Sequence, residues 1–475
     1  MDPFVSLDGT AQAELVRRRE VTPLELVDAA IARIERCNPK LNAVVQTQFD
    51  AAREQAKGPL PEGPFTGVPF LLKDLLAAQR GQPLTGGSRF MKDFVPDHDS
   101  ELVKRHLRAG LVVLGKTNTS ELGLLPTTES ALYGPCRNPW DVTRSAGGSS
   151  GGAAAAVASG MVPFAHASDG GGSIRIPASC CGLFGLKPTR GRNPTGPDLA
   201  DAYHWLVADH AITRTVRDSA ALLDATEGPD VGAPVFAPPR SRPYLMEVGA
   251  PPGRLRIGLS LRNAMGAPVH PECLAAVATA ARRLEGLGHS VIEANLHLPG
   301  EEDLGQHFMT AWAAGVVHGL EAAARRMGRE PDPTEVEPFT WALYQFGLAQ
   351  GLSGYLRSQE ELLRFSRAFA HRFEEVDAWL LPTVTEPAPT LGSFATPPGE
   401  PLQPLFHAAT FTPYCPMANM AGNPAMSVPL HWSPEGLPIG VQFIGRFGDE
   451  ATLFRLAAQL EAAHPWTHRR PAVSA

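Results

Sequence analysis

The stretch RSAGGSSGGAAAAVASGMVPFAHASDGGGSIRIP, residues 144–177, holds two glycine clusters with serine on either side of an alanine-rich run. The run is a good helix former. Glycines this dense lose much conformational freedom on folding and contribute no side-chain packing. They call for a role that needs bare backbone beside hydroxyl groups. In the second cluster, Gly170, Gly171, Gly172 and Ser173 offer consecutive backbone N–H groups with little to obstruct them. Such a nest suits a developing oxyanion. It also sets the Ser173 hydroxyl beside the same carbonyl, which makes Ser173 the candidate nucleophile. Serine is weak without a base. No Ser–His–Asp order is visible. A relay hydroxyl from the first cluster and a desolvated lysine remain as candidates. A phosphate cradle is disfavoured, because AGGSSGG lacks both the P-loop lysine and the GxGxxG fingerprint.

Outward from this stretch, helical and extended patterns alternate. TAQAELVRRRE and TPLELVDAAIARIERCN have helical spacing, the second with Thr22 as cap, Pro23 at the first position and Glu25 three residues on. GPFTGVPFLLKDLL contains a short apolar run, a buried strand ending at Lys73 and Asp74. DSELVKRHLRAG reads as a helix closed by Gly110, and LVVLGKTN as the buried strand after it. Beyond a Pro-rich connection, RLRIGLS, PECLAAVATAARRLEGLG, AWLLPTV, PAMSVPL and PIGVQFIG continue the alternation, and a last helix spans about 449–463. Residues 301–375 read as a helical excursion rich in aromatics. The economical reading is one α/β domain over 1–475, with a sheet between helices.

The chain has 475 residues, 43% of them hydrophobic, enough for a large core. A net charge of −7 without a basic block points away from nucleic acid and from anionic membranes. The first residues lack a basic start followed by an apolar core, and no apolar run is long enough to span a bilayer, so a cytoplasmic chain is expected. Six cysteines without CxxC spacing read as reduced and buried, and fifteen histidines include no HExxH pair, so no metal site is expected.

Three segments together resemble the amidase signature family: Lys73 in GVPFLLKD, GGSSGG at 147–152, and SDGGGSIRIPASCCGLFGLKPTRGR at 168–192. LGKTNTSELG (114–123), RNPWD (137–141) and NMAGNPAMSVP (419–429) fit as well, so the resemblance spans most of the chain. Closer similarity, through DHDSELVKRHLRAG, TRGR and APPRSRPY, is to bacterial enzymes that open nylon-type cyclic amides. The resemblance implies an α/β/α sandwich around a large mixed sheet. It also implies cofactor-free hydrolysis of C–N bonds other than peptide bonds through an acyl-enzyme. Residue by residue it implies a Ser–Ser–Lys triad. Ser173 attacks, Ser149 (after a cis peptide bond) relays the proton, and Lys73 is the base. The spacing 173 − 149 = 24 favours Ser149 over Ser150. Asp169 and Arg175 are implied as an ion pair supporting the loop. The family usually has a bulkier residue at 170 and often Pro or Val at 146. Gly170 and Ala146 stand here, and Gly170 is expected to leave the loop freer.

Substrate contacts are expected outside these motifs, with Tyr133, Trp312 and Tyr414 as candidates. The aromatic bias favours an apolar or extended amide, ester or carbamate over a small polar amide. Nylon-type oligomers, aryl acylamides and carbamates all fit. A monomer or homodimer acting on a small molecule is expected. The alternative is the glutaminase subunit of a tRNA-dependent amidotransferase, working with partner subunits.

Overall fold

The computed structural model describes residues 2–200, 203, 205–298 and 300–475. Helix α1 (Gly9–Arg17) starts at an Asp8 cap, and α2 (Pro23–Leu41) at a full capping box. The Glu25 carboxylate accepts from Thr22 N–H at 2.7 Å, and Thr22 Oγ1 accepts from Glu25 N–H at 3.3 Å. Then come β1 (Val44–Thr47), α3 (Phe49–Lys57), β2 (Pro69–Lys73), α4 (Glu101–Arg108) and β3 (Val112–Thr117). Both apolar runs read as strands, β2 and β3, are buried throughout. A short ribbon of β4 (Glu129–Ser130) and β5 (Gly134–Pro135) leads to the first glycine cluster, and the alanine run forms α5 (Gly151–Ala158), buried at every residue.

The chain continues through β6 (Phe164–Asp169), α6 (Arg175–Cys181), β7 (Phe184–Lys187), β8 (Ala208–Thr213), α7 (Val216–Thr226), β9 (Arg256–Leu259), α8 (Pro271–Gly286) and β10 (Ser290–Glu293). Two long helices follow, α9 (Glu301–Met327) and α10 (Pro338–His371), the latter broken at Gly351, where φ is 67°. The last elements are β11 (Ala378–Pro382), α11 (Gln403–Phe411), α12 (Pro416–Ala421), β12 (Ala425–Trp432), β13 (Pro438–Gly445) and α13 (Glu450–Ala463).

Eight strands form a mixed sheet in the order β10-β9-β11-β13-β12-β7-β8-β6, parallel at the β10-β9-β11 end and antiparallel elsewhere. A separate ladder, β1-β3-β2, lies with β2 alongside β6. Alternation along β11 shows how the sheet is sandwiched. Leu380 joins a core with α7, α8 and α13, while Trp379 and Leu381 join another with α9, α10 and α12. This is the mixed α/β architecture with helices on both faces that the motifs imply. Strands β6 and β8 escape a reading by pattern. Both are wholly buried yet carry His, Asp and Ser or Thr, so neither shows apolar alternation. Among the described residues no helix is long and apolar enough to cross a membrane.

Candidate active site

Strand β2 delivers Lys73 into the interior beside β6, and the side chain has no solvent exposure. Its Nζ donates to Ser149 Oγ at 2.7 Å and to Ser168 Oγ at 2.9 Å. Burial pushes its pKa down to about 7, and the negative charges of Asp209 and Asp169 oppose that shift. The Lys73 backbone N–H is held by His166 Nδ1 at 3.2 Å, and His166 Nε2 lies 3.1 Å from Asp209 Oδ1. With Nδ1 accepting, Nε2 carries the ring proton and donates to Asp209. Asp74 turns away from Lys73. Its carboxylate accepts from Thr85 N–H and Oγ1 and from the Tyr133 hydroxyl.

The first glycine cluster is bare because other backbone passes against it. A Cβ at Gly148 would stand 2.1 Å from Thr127 O. The bond from Gly148 to Ser149 is cis. Thr128 Oγ1 bridges this turn, donating toward Gly147 O and accepting from Gly151 N–H. Ser150 Oγ donates to Ser168 O at 3.2 Å, so of the two adjacent serines it is Ser149 that faces the lysine.

Between β6 and α6 lies the second cluster. Asp169 and Arg175, both fully buried, form a two-pronged pair, with Nε to Oδ2 and Nη2 to Oδ1 each at 2.9 Å. Burial alone would raise the Asp169 pKa, but Arg175 and the Asn419 amide hold it far below the usual carboxylate range. Asp169 also takes the N–H of Ile174 at 3.1 Å and that of Gly172 at 2.8 Å. That corrects one expectation. The Gly172 N–H is committed to Asp169, so it is not a free oxyanion donor. Among the described residues no hydrogen bond engages the N–H of Gly170, Gly171 or Ser173, nor Ser173 Oγ. Gly172 has φ 129° and sits against Cys415 and Ile176. Ser173 is 7% exposed, at the end of the nest.

The three aromatic candidates fare differently. Trp312 lies directly on the nest, 2.8 Å from where a Cβ at Gly170 would be, and stacks on Phe308. Tyr133 is half-buried, its hydroxyl accepting from Gln46 and bonded to Asp74 and Thr85; burial and Asp74 push its pKa up to about 12. Tyr414 is wholly buried, and its hydroxyl donates to Leu261 O at 2.6 Å. Tyr414 therefore sits in the core, with no exposed surface. Its segment instead brings Cys415 against Gly172 and Asn419 onto Asp169. Ser168, the second hydroxyl on Lys73, was not singled out in the sequence, although it stands two residues before the nest. A small apolar cleft of about 160 Å³ is lined by Leu75, Leu122, Tyr203 and neighbouring residues, and Leu75 and Ser149 both flank Gly123. Among the described residues no group of three His, Cys, Asp or Glu could hold a metal ion.

A mixed α/β sandwich with glycine–serine segments beside a buried lysine is the setting of this site, and the chain belongs to a family of hydrolases acting on C–N bonds. The chain belongs to the amidase family, whose model matches residues 25–454. It is 40% identical to a 6-aminohexanoate-cyclic-dimer hydrolase of Pseudomonas sp. (strain NK87), over 98% of this chain and 96% of that one. The solved structure of a 6-aminohexanoate cyclic dimer hydrolase superposes with a TM-score of 0.93 at 39% identity, covering 99% of both chains. A bacterial aryl acylamidase of the amidase signature family follows at TM-score 0.87 and 30% identity, over 97% of both chains.

Proposed function

We propose that this chain hydrolyses apolar amides through an acyl-enzyme on Ser173, with Ser149 as proton relay and Lys73 as base. The observation that carries the reading is the 2.7 Å bond from Lys73 to Ser149, made by a fully buried lysine whose pKa is about 7. Near neutral pH a good fraction of that amine is neutral and can accept a proton. Ser173 Oγ attacks the carbonyl carbon as its proton passes to Ser149, whose own proton passes to Lys73. The N–H groups of Gly170, Gly171 and Ser173 hold the oxyanion, in a loop that Asp169 and Arg175 brace. Collapse breaks the C–N bond, and the proton returns through Ser149 to the departing amine. Water then enters by the reverse path and releases the acid.

The relatives' names support nylon-type cyclic or linear aminohexanoate oligomers and aryl acylamides as substrates, and carbamates present the same carbonyl and nitrogen. The cleft beside Leu75, Leu122 and Tyr203 suits the apolar part of such a molecule. On this reading residues 1–475 act as one unit in the cytoplasm, as a monomer or homodimer, without nucleic acid. A panel of cyclic and linear oligoamides, anilides, esters, carbamates and glutamine, assayed on the purified protein, tests it. Turnover of anilides or oligoamides with glutamine untouched is expected. Turnover of glutamine alone would move the reading to the amidotransferase subunit.

A further inference from the structure

At the end of β12 remote from α12, a cleft of about 490 Å³ opens between the last turn of α8, the β12–β13 turn and the segment after α13. Strand β12 has eight residues, which at about 3.3 Å each puts the cleft roughly 20 Å from the α12 end of the strand, close to Asn419 and the nest. Its walls carry Arg283, His431, His464 and Arg469 together with Trp432 and Trp466. Glu272 is paired with His431, at 3.0 Å. Among the described residues neither Arg283 nor Arg469 forms an ion pair. Arg283 is half-buried and donates one Nη1 bond to Leu430 O, and the Arg469 guanidinium lies 4.2 Å from the centre of the Trp432 ring.

Arg283 and Arg469, brought together without a carboxylate partner, repel one another. Burial and the charges of Arg469 and Arg282 lower the pKa of Arg283, while burial and Arg283 lower that of His464. An anion would relieve this repulsion. A planar guanidinium grips carboxylate or phosphate through two parallel bonds. The partly exposed Trp432 indole would meanwhile cover an apolar body, and the volume falls in the range of small-molecule sites.

We propose that this cleft binds a small organic anion, its carboxylate or phosphate held by Arg283 and Arg469 and its apolar body lying against Trp432. The site stands independently of the hydrolytic one, since no residue is shared.

Calorimetry at low salt with benzoate, phenyl phosphate and benzyl alcohol tests it. One or both anions bind, benzyl alcohol binds at least tenfold more weakly, and added salt weakens the anions. Tighter benzoate assigns a carboxylate ligand; tighter phenyl phosphate assigns a phosphate. In the Arg283→Gln/Arg469→Gln variant anion binding falls at least tenfold while amide turnover holds, and Arg364→Gln, on the exposed side of α10 and away from the cleft, changes neither. Should the double variant fail to fold, Arg469→Gln alone, at an exposed position, gives the same reading with a smaller loss. Failure of both anions to bind, or binding unaltered by the arginine substitutions, overturns the proposal.

Discussion

Trp312 fills the space that a side chain at residue 170 would take: a Cβ on Gly170 would lie 2.8 Å from Trp312 Cζ3 and 3.0 Å from Val207 Cγ2. Gly170 read in isolation suggests a looser loop. The indole, backed by Phe308 and Tyr203, closes that freedom from outside. Trp312→Ala is therefore expected to cost about 3–5 kcal/mol in denaturant unfolding and to lower kcat as the nest loosens. Gly170→Ala should lower kcat and cost about 1–3 kcal/mol of stability, because the added Cβ overpacks against Trp312 and Val207. The Gly170→Ala/Trp312→Phe double variant should recover part of that kcat, because the two groups compete for one volume. Strictly additive effects would disprove the competition.

The two neighbouring serines should separate cleanly. Ser173→Ala is expected to abolish turnover and labelling by a fluorophosphonate. Ser149→Ala should lower kcat by at least a hundredfold, whereas Ser150→Ala, which loses a bond to the Ser168 carbonyl, should lower it far less. Mass spectrometry locates the label. An adduct on Ser149 or Ser150 would reverse the assignment.

Lys73 sets the pH dependence. Its pKa is about 7 in the folded chain, against about 10.4 when free. Amide hydrolysis should therefore rise through about pH 7 to a plateau, and Lys73→Ala should flatten the profile and harm amides more than activated esters. Stability follows the same group. Between about pH 7 and 10.4 the unfolded chain binds more protons at this lysine than the folded one, so its contribution to stability rises with pH across that window. Ser168→Ala removes one hydrogen bond to the ammonium form and should shift the activity profile toward lower pH. A wild-type profile in Lys73→Ala would exclude it as the base.

Glu121 ties the start of α10 to the site. Its buried carboxylate accepts from Ser88 Oγ at 2.6 Å, from Glu337 N–H at 2.8 Å and from Thr340 Oγ1 at 2.5 Å. The adjoining Leu122 carbonyl accepts from the Tyr203 hydroxyl, and Gly123 backs onto Ser149. Glu121→Ala leaves those donors without an acceptor, at about 1–3 kcal/mol for each group left unsatisfied. A clear fall in Tm with weakened turnover is expected. An unchanged Tm would show that α10 is held by its apolar contacts alone.

Much of this molecule is local and therefore legible in one dimension. The Thr22–Glu25 box, the buried runs of β2 and β3, and the alanine helix between two glycine clusters all follow from neighbours three or four residues apart. The polar strands β6 and β8 were not legible, because burial from both sides removes the alternation that marks a strand.

Residue types and their order established which groups are available: the serines, the lysine and the unobstructed N–H groups. Which donor meets which acceptor was decided in three dimensions. Lys73 reaches Ser149 and Ser168 only because β2 lies along β6. Asp169 takes the Gly172 N–H away from the nest, Trp312 arrives from α9 to cap Gly170, and Tyr414 turns into the core. The physical reason is common to all four. Hydrogen-bond geometry, desolvation and steric exclusion act over a few ångströms, and the sequence does not state which distant side chains the packing of the sheet brings within that range.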